Sequence, residues 1–460
     1  MSLNRRILLG AAGALIAPLP VRADTGLSGT FTGALQLGPN RLRLKLVLTG
    51  DGKATLYSLD QGNAAIPASD VKVEGAHIVL SFAAINARYD ATLDGDRLDG
   101  TFTQGPVTLS LALKRGETVE ADPLAGPLTA GTLHGFRLRA GTPGMAAAWS
   151  RTGQTTRLLV DGVRAQGSPA AVAAGDLWHL GSLTKSMTAT LMARHVEAGT
   201  LSWQTTIGEV LGHAISDMNP AYSDVTLLHL LSHHAGLQPN IDMADLAAFS
   251  RAPVADAIAD RRAYARLALK QAPAAAPGQA MIYSNNGYVV AAAMLEARMQ
   301  KPWEALIQEG LFTPLKLMSA GFGPPGADQP SGHIIAADGT RSPTGIDNPV
   351  ALGPAGRVHM SLGDLVSYLE LHRDQPASWL TAQGWQTLHT PPFGGNYALG
   401  WIVLPDASLW HNGSNTVWYA EVSVDRAAGT VAAVASNDAS GFGGGPGQVL
   451  AAARLAAKGG

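Results

Sequence analysis

The chain has 460 residues, 46% of them hydrophobic and 15% charged, which is too long for one ordinary domain and too apolar for a disordered scaffold. Its 33 basic and 35 acidic residues leave a formal net charge of −2, which excludes the footprint of a nucleic-acid binder and a polybasic membrane anchor. There is no cysteine, so disulfide scaffolds, thiol nucleophiles and thiolate zinc sites are excluded as well.

Residues 1–23, MSLNRRILLGAAGALIAPLPVRA, have the zones of a secretory signal. Arg5 and Arg6 form the positive end, Ile7 to Leu19 the apolar stretch, and Val21-Arg22-Ala23 the small-residue cleavage site. The apolar stretch is too short to span a bilayer as a helix. Export to the periplasm is therefore expected, by the general or the twin-arginine route. No later run reads as transmembrane, so no stable membrane anchor is expected.

Residues 24–116 read as an all-β domain. Leu42, Leu44, Leu46 and Leu48 alternate with Arg41, Arg43, Lys45 and Val47, and the Asp51-Gly52 turn signal follows. HIVLSF, ARYDATLDGDRLDGTFT and VTLSLALK add short strands, with a second turn at Asp94-Gly95. A small antiparallel barrel or sandwich is expected, acting as an accessory module because it clusters no histidines or acids. Residues 117–135, rich in Pro, Gly and small side chains, read as a linker.

Residues 136–460 form the second domain. PGMAAAWSR and TTRLLVDGVRAQG suggest two strands, residues 183–390 are mainly helical, and YALGWIVLP, WYAEVSVD and TVAAVASND return to strands before an Ala-rich helix from about Gly447. Strands at both ends around a helical middle imply an α/β (α+β) architecture, with an antiparallel sheet built from both chain ends and an inserted helical lobe.

HLGSLTKSM places Ser182 and Lys185 three residues apart at a helix start. Leu183, Met187, Leu191, Met192 and Val196 recur at helical spacing, with Gly199 as a stop. At that position free N–H groups and the helix dipole favour negative charge, and Lys185 lies on the serine's face, one turn on. Burial lowers a lysine pKa enough to make it a proton acceptor. The spacing alone is equally that of an N-cap serine and a surface lysine. Two segments downstream bear on the choice: Tyr283-Ser284-Asn285 before an apolar helical run, and His411-Asn412-Gly413 between strand-like stretches.

In the order S-x-x-K, Y-x-N, H-x-G, these motifs resemble those of the class C β-lactamase and penicillin-binding-protein-like serine hydrolases. LLHLLSHHAGL, LFTPLKLM and GPAGRVHMSLGDLVSYL resemble further family segments, so the resemblance runs from about residue 135 to the end. It implies the serine β-lactamase/DD-peptidase-like fold, no cofactor, and a small-molecule or short-peptide substrate; it says nothing of oligomeric state. It also implies that Ser182 is the acyl-accepting nucleophile and that Lys185 and Tyr283 share the base role. Asn285, His411, Asn412 and Gly413 would contact substrate, and the backbone N–H groups of Ser182 and Ser414 would form the oxyanion hole.

One departure sets the expected substrate. β-Lactamases of this family usually carry Lys-Thr-Gly where this chain has His411-Asn412-Gly413. A histidine, mostly neutral at pH 7, attracts a substrate carboxylate far less than a lysine. Ester or amide hydrolysis, of the carboxylesterase or D-aminopeptidase type, is expected ahead of β-lactamase or DD-peptidase activity. Trp410 and Trp418 could wall an apolar pocket or simply pack.

His229, His233 and His234 raise zinc, but H-E-x-x-H is absent and no metal is expected. GFGGGPG, residues 441–447, does not match a nucleotide-binding glycine pattern and reads as a loop. No serine sits in G-x-S-x-G. The rival to an enzyme is a scaffold that holds a cell-wall peptide without cleaving it, which a serine-directed phosphonate would distinguish.

Overall fold

The computed structural model describes residues 27–37, 40–59, 64–105, 107–116, 124–439 and 445–459. The expected signal at 1–23, the first part of the expected linker (117–123) and most of GFGGGPG lie outside the described residues. Of two compact units, one gathers the described residues up to Ala125 and the other most of those from Gly126 onward.

In the first unit, nine described strands form one antiparallel sheet. Its order is Ala64–Pro67, Ala54–Ser58, Asn40–Leu48, Gly29–Leu37, Val107–Arg115, Arg97–Gln104, Ala87–Asp94, His77–Phe82, Asp70–Glu74. Period-two alternation sends Leu42, Leu44, Leu46, Leu80, Phe82, Leu98, Leu111 and Leu113 into one apolar core. A single wrapped sheet, rather than a two-sheet sandwich, is the result.

In the second unit a six-stranded antiparallel sheet runs Arg157–Gly162, Gly144–Arg151, Thr430–Ser436, Tyr419–Asp425, Leu409–Ser414, Ile402–Val403. Both chain ends contribute, as the pattern of strands implies. Tyr419–Asp425 and Thr430–Ser436 are buried along their whole length, and so read as unbroken apolar runs rather than alternating ones. The helix Leu362–Asp374 packs on strands Gly144–Arg151, Tyr419–Asp425 and Thr430–Ser436. Alanines on those strands, such as Ala146, Ala148, Ala433 and Ala435, are buried in the core that results.

Three expectations need correction. A helix, Ala130–Ala140, begins inside the stretch read as linker. YALGWIVLP is a strand only at Ile402–Val403, because Gly400 turns at φ +77 and Ala398 N–H bonds the Trp401 carbonyl across that turn. The helical middle also carries a three-stranded sheet, Leu177–His179, Val358–Ser361 and Gly321–Phe322, and a hairpin, Gly332–Ile335 with Arg341–Thr344. Among the described residues, no helix is long and apolar enough to cross a membrane.

Candidate active site

Ser182 sits in a 3-10 turn, Gly181–Leu183, directly ahead of the helix Thr184–Glu197. Gly181 takes φ +51, and a Cβ there would run into the Ser414 amide nitrogen. The turn and the end of strand Leu409–Ser414 are thus in backbone contact, which sets the Ser182 and Ser414 amides side by side. Thr184 Oγ1 closes the turn on the Gly181 carbonyl at 2.7 Å.

Lys185 is fully buried while Ser182 is half-buried. The surface-lysine alternative is therefore overturned. Its Nζ has three partners: Ser182 Oγ at 3.0 Å, Asn285 Oδ1 at 2.7 Å and the Ala355 carbonyl at 2.7 Å. Burial alone holds the lysine well below its ordinary pKa. Three acceptors around Nζ suit the three hydrogens of an ammonium, and the lowered pKa brings the amine closer to releasing one and accepting the serine proton instead.

Ser284 starts the helix Asn285–Met299 by accepting the Gly287 N–H, at 3.4 Å. That places Asn285 in the first turn and Tyr283 just outside it. Tyr283 is 37% exposed, and Lys185 Nζ lies 4.9 Å from its ring centroid. Asn285 was expected to contact substrate. Its Oδ1 accepts from Lys185 and its Nδ2 donates to Asn240 Oδ1 at 2.9 Å, which orients the amide and leaves it a second hydrogen to donate.

His411 and Gly413 share one face of their strand, and Trp410 and Asn412 the other. The Asn412 amide donates to Tyr419 Oη at 3.2 Å, and Trp410 Nε1 donates to Glu421 at 2.7 Å. Asn412 and Trp410 are therefore turned away from the serine, against expectation, for the plain reason of strand alternation. Trp418 is buried, stacked on His179 at 5.4 Å between centroids, and packs rather than lines a pocket.

His411 is buried beside Tyr283, with 6.5 Å between ring centroids. Its Nδ1 donates to the Asn412 carbonyl at 2.6 Å, and its Nε2 lies 3.0 Å from Tyr397 Oη. Burial pushes the Tyr397 phenol well above its usual pKa, so it stays protonated. Tyr397, Ala355 and Asn240 were missed in the sequence; only the small residues around Ala355 hinted at close packing.

Of the three histidines weighed for zinc, His229 lies in a helix of only five residues, Leu227–Leu231, and His233 and His234 lie beyond it, so His229 and His233 do not share a helix face. His229 Nδ1 joins a capping box with Thr226, His233 Nδ1 accepts the Ser284 N–H at 3.0 Å, and His234 Nδ1 bonds the Ser232 carbonyl at 2.9 Å. His229 and His234 flank the ring of Phe393.

A buried lysine against a serine, with a tyrosine at its mouth, fits the class of serine hydrolases. The Beta-lactamase family model matches residues 122–456, and the chain belongs to that family. It is similar to penicillin-binding protein 4 of Amycolatopsis lactamdurans, 29% identical over 228 residues. That match spans 47% of this chain and 56% of the relative, so the chain covers little more than half of that protein's length. In fold it is similar to the D-amino acid amidase of Ochrobactrum anthropi SV3, with TM-score 0.59, 20% identity, and 71% of this chain and 97% of that one covered. It is also similar to EstCE1, described as a hydrolase with promiscuous acyltransferase activity, with TM-score 0.60, 16% identity, and 70% and 97% covered.

Proposed function

We propose that the chain is an exported serine hydrolase that cleaves uncharged esters or amides, D-amino-acid amides and short peptides among them, through an acyl-enzyme on Ser182. The observation that carries the reading is the environment of Lys185: a fully buried amine with two carbonyl acceptors and the Ser182 hydroxyl. Lys185 takes the serine proton as Oγ bonds to the substrate carbonyl carbon. The negative oxygen that forms lies between the Ser182 and Ser414 amides, donors whose removal costs about a hundredfold or more in rate. The lysine is then a buried cation, and the nearby Tyr283 ring, 4.9 Å away, offsets part of that cost.

The leaving group departs with a proton delivered by Tyr283, which recovers it from Lys185. Water then repeats the sequence on the acyl-enzyme: it gives its proton to Lys185, its oxygen bonds to the acyl carbon, and Ser182 leaves protonated. A histidine, mostly neutral at pH 7 by its ordinary pKa, offers a substrate carboxylate less attraction than a lysine, and Tyr397 already engages the Nε2 of His411. That supports uncharged esters and amides over penicillins and cephalosporins. Residues 1–23 support export.

The mature chain from Asp24 and its Ser182→Ala variant are compared on a short-chain p-nitrophenyl ester, a D-alanyl p-nitroanilide and a chromogenic cephalosporin. Ester or amide cleavage, weak cephalosporin turnover and an inert variant are expected. A cephalosporin turned over fastest would overturn the substrate class. Equal activity of the two proteins would overturn the mechanism.

A further inference from the structure

Outside the reacting groups, the second unit contains a closed polar circuit directly behind the serine. Asp347 is 6% exposed. Its Oδ1 lies 3.0 Å from His179 Nε2 and accepts from Asn415 Nδ2 at 3.0 Å, while its Oδ2 accepts from Arg357 Nε at 3.0 Å. His179 is fully buried, and its Nδ1 accepts the Gly181 N–H at 3.2 Å. An Nδ1 that accepts leaves the ring proton on Nε2, which stands 3.0 Å from the carboxylate but out of line for a hydrogen bond, so the two are held by charge and proximity. Asn415, buried as well, uses its Oδ1 to accept the Val417 and Trp418 N–H groups at 3.3 and 3.2 Å. The Trp418 ring stacks back on His179 and closes the circuit.

The two arms end next to the two amides read above as the oxyanion hole. Gly181 precedes Ser182, and Asn415 follows Ser414. We propose that Asp347 is a positioning residue that holds both oxyanion donors in register, through His179 on one side and Asn415 on the other. The proposal rests on the reading of Ser182 as nucleophile. The carboxylate does not touch substrate. It fixes the ring orientation and proton position of His179, and with them the left-handed turn at Gly181. It also fixes the side chain that caps the turn after Ser414. A shift of either amide by a fraction of an ångström weakens its bond to the developing oxyanion, which tolerates little error in distance. Arg357 stabilises the buried carboxylate, and His359, whose Nδ1 bonds the Gly323 carbonyl, is the remaining titratable group near it.

The test compares wild type, Asp347→Asn and Ser182→Ala on a p-nitrophenyl ester and on its thiono analogue, in which sulfur replaces the carbonyl oxygen. Rates are normalised to sites titrated to completion with a serine-directed phosphonate. A thiocarbonyl draws little on an oxyanion hole, so the ratio of the two rates reports the hole itself. Asp347→Asn is expected to lower kcat on the oxygen ester about tenfold to a hundredfold with KM nearly unchanged, and to shrink the oxygen-to-sulfur ratio about tenfold. An equal loss on both esters, or wild-type kcat per titrated site, would overturn the proposal. Should Asp347→Asn fail to fold, Asn415→Ala cuts one arm only, and an unchanged ratio in that variant would overturn it too. An active Ser182→Ala would instead sink the nucleophile assignment and leave Asp347 as a structural ion-pair residue.

Discussion

Gly413 lies so close to Ser182 that a Cβ on it would stand 2.5 Å from the Ser182 amide nitrogen, and closer still to the Leu180 carbonyl oxygen. The H-x-G glycine is therefore required by backbone packing, before any substrate is considered. Gly413→Ala should push the strand away from the nucleophile turn. The expected result is a loss of about a hundredfold or more in kcat and a destabilisation of about 1–3 kcal/mol. Steady-state kinetics and urea unfolding of the purified variant check both. An alanine variant of near-native activity would show that the strand and turn move apart freely.

Lys185 is held below the ordinary lysine range by burial, and it must be neutral to accept a proton. Because the active form is the deprotonated one, kcat/KM should rise with pH through the lysine's lowered pKa, with a midpoint well under 10.5. Lys185→Arg keeps the positive charge but cannot release its proton. It should lose about 10²–10⁴-fold in kcat/KM with no acid limb left to titrate. A pH-rate profile of both proteins is the measurement.

A second buried network anchors the nucleophile helix. Gln375 Nε2 donates to His389 Nδ1 at 2.8 Å, His389 Nε2 meets His372 Nδ1 at 2.9 Å, and His372 Nε2 meets Thr190 Oγ1 at 3.2 Å. Burial lowers the His389 pKa to about 3 and that of His372 well below 6.5. The unfolded chain would protonate both near 6.5, so between that pH and about 3 the unfolded state binds more protons. Stability is full above pH 6.5 and falls as the pH drops toward 3, by about 1.4 kcal/mol per unit for His389, with His372 acting in the same direction. Urea midpoints measured from pH 7.5 to 4 should show that decline. His389→Gln should flatten it, and an unchanged slope would exclude the pair as its cause.

His411 donates from Nδ1 to a backbone carbonyl, and its Nε2 is hydrogen-bonded to Tyr397 Oη. His411→Lys would place a cation at the edge of the site. The ratio of cephalosporin to ester turnover is expected to rise about tenfold, the value of one charge-assisted contact of about 1.4 kcal/mol. Parallel initial rates on the two substrates decide it. A ratio that stays flat would mean that something other than this residue excludes the carboxylate.

The reacting residues were legible because each motif is local. Ser182 and Lys185 fall on one turn of one helix, Ser284 caps the helix that Asn285 begins, and Gly413 sits on a strand whose neighbours alternate. The alternation of Leu42 to Leu48 likewise announced the front sheet. Chain-end strands around a helical middle announced the second unit. What failed were readings that needed a partner. Asn412 looked like a substrate contact because nothing nearby in sequence shows Tyr419 taking its amide on the far face of the strand. YALGWIVLP looked like a strand because the packing that turns it at Gly400, against the backbone of Ser186, is remote.

Residue types and spacings by themselves put Ser182 and Lys185 on one face at a helix start, since a helix places positions i and i+3 together whatever surrounds it, and the three motifs in order pointed to the class of chemistry. Only the tertiary structure decided protonation and orientation. Burial lowers the Lys185 pKa, while Asn285 and Ala355, 100 and 170 residues away in the chain, fix where its Nζ points, and Tyr397 sets the partner of His411 Nε2. Proton positions depend on burial and on the partners a group meets, and those are set by contacts between segments distant in the chain.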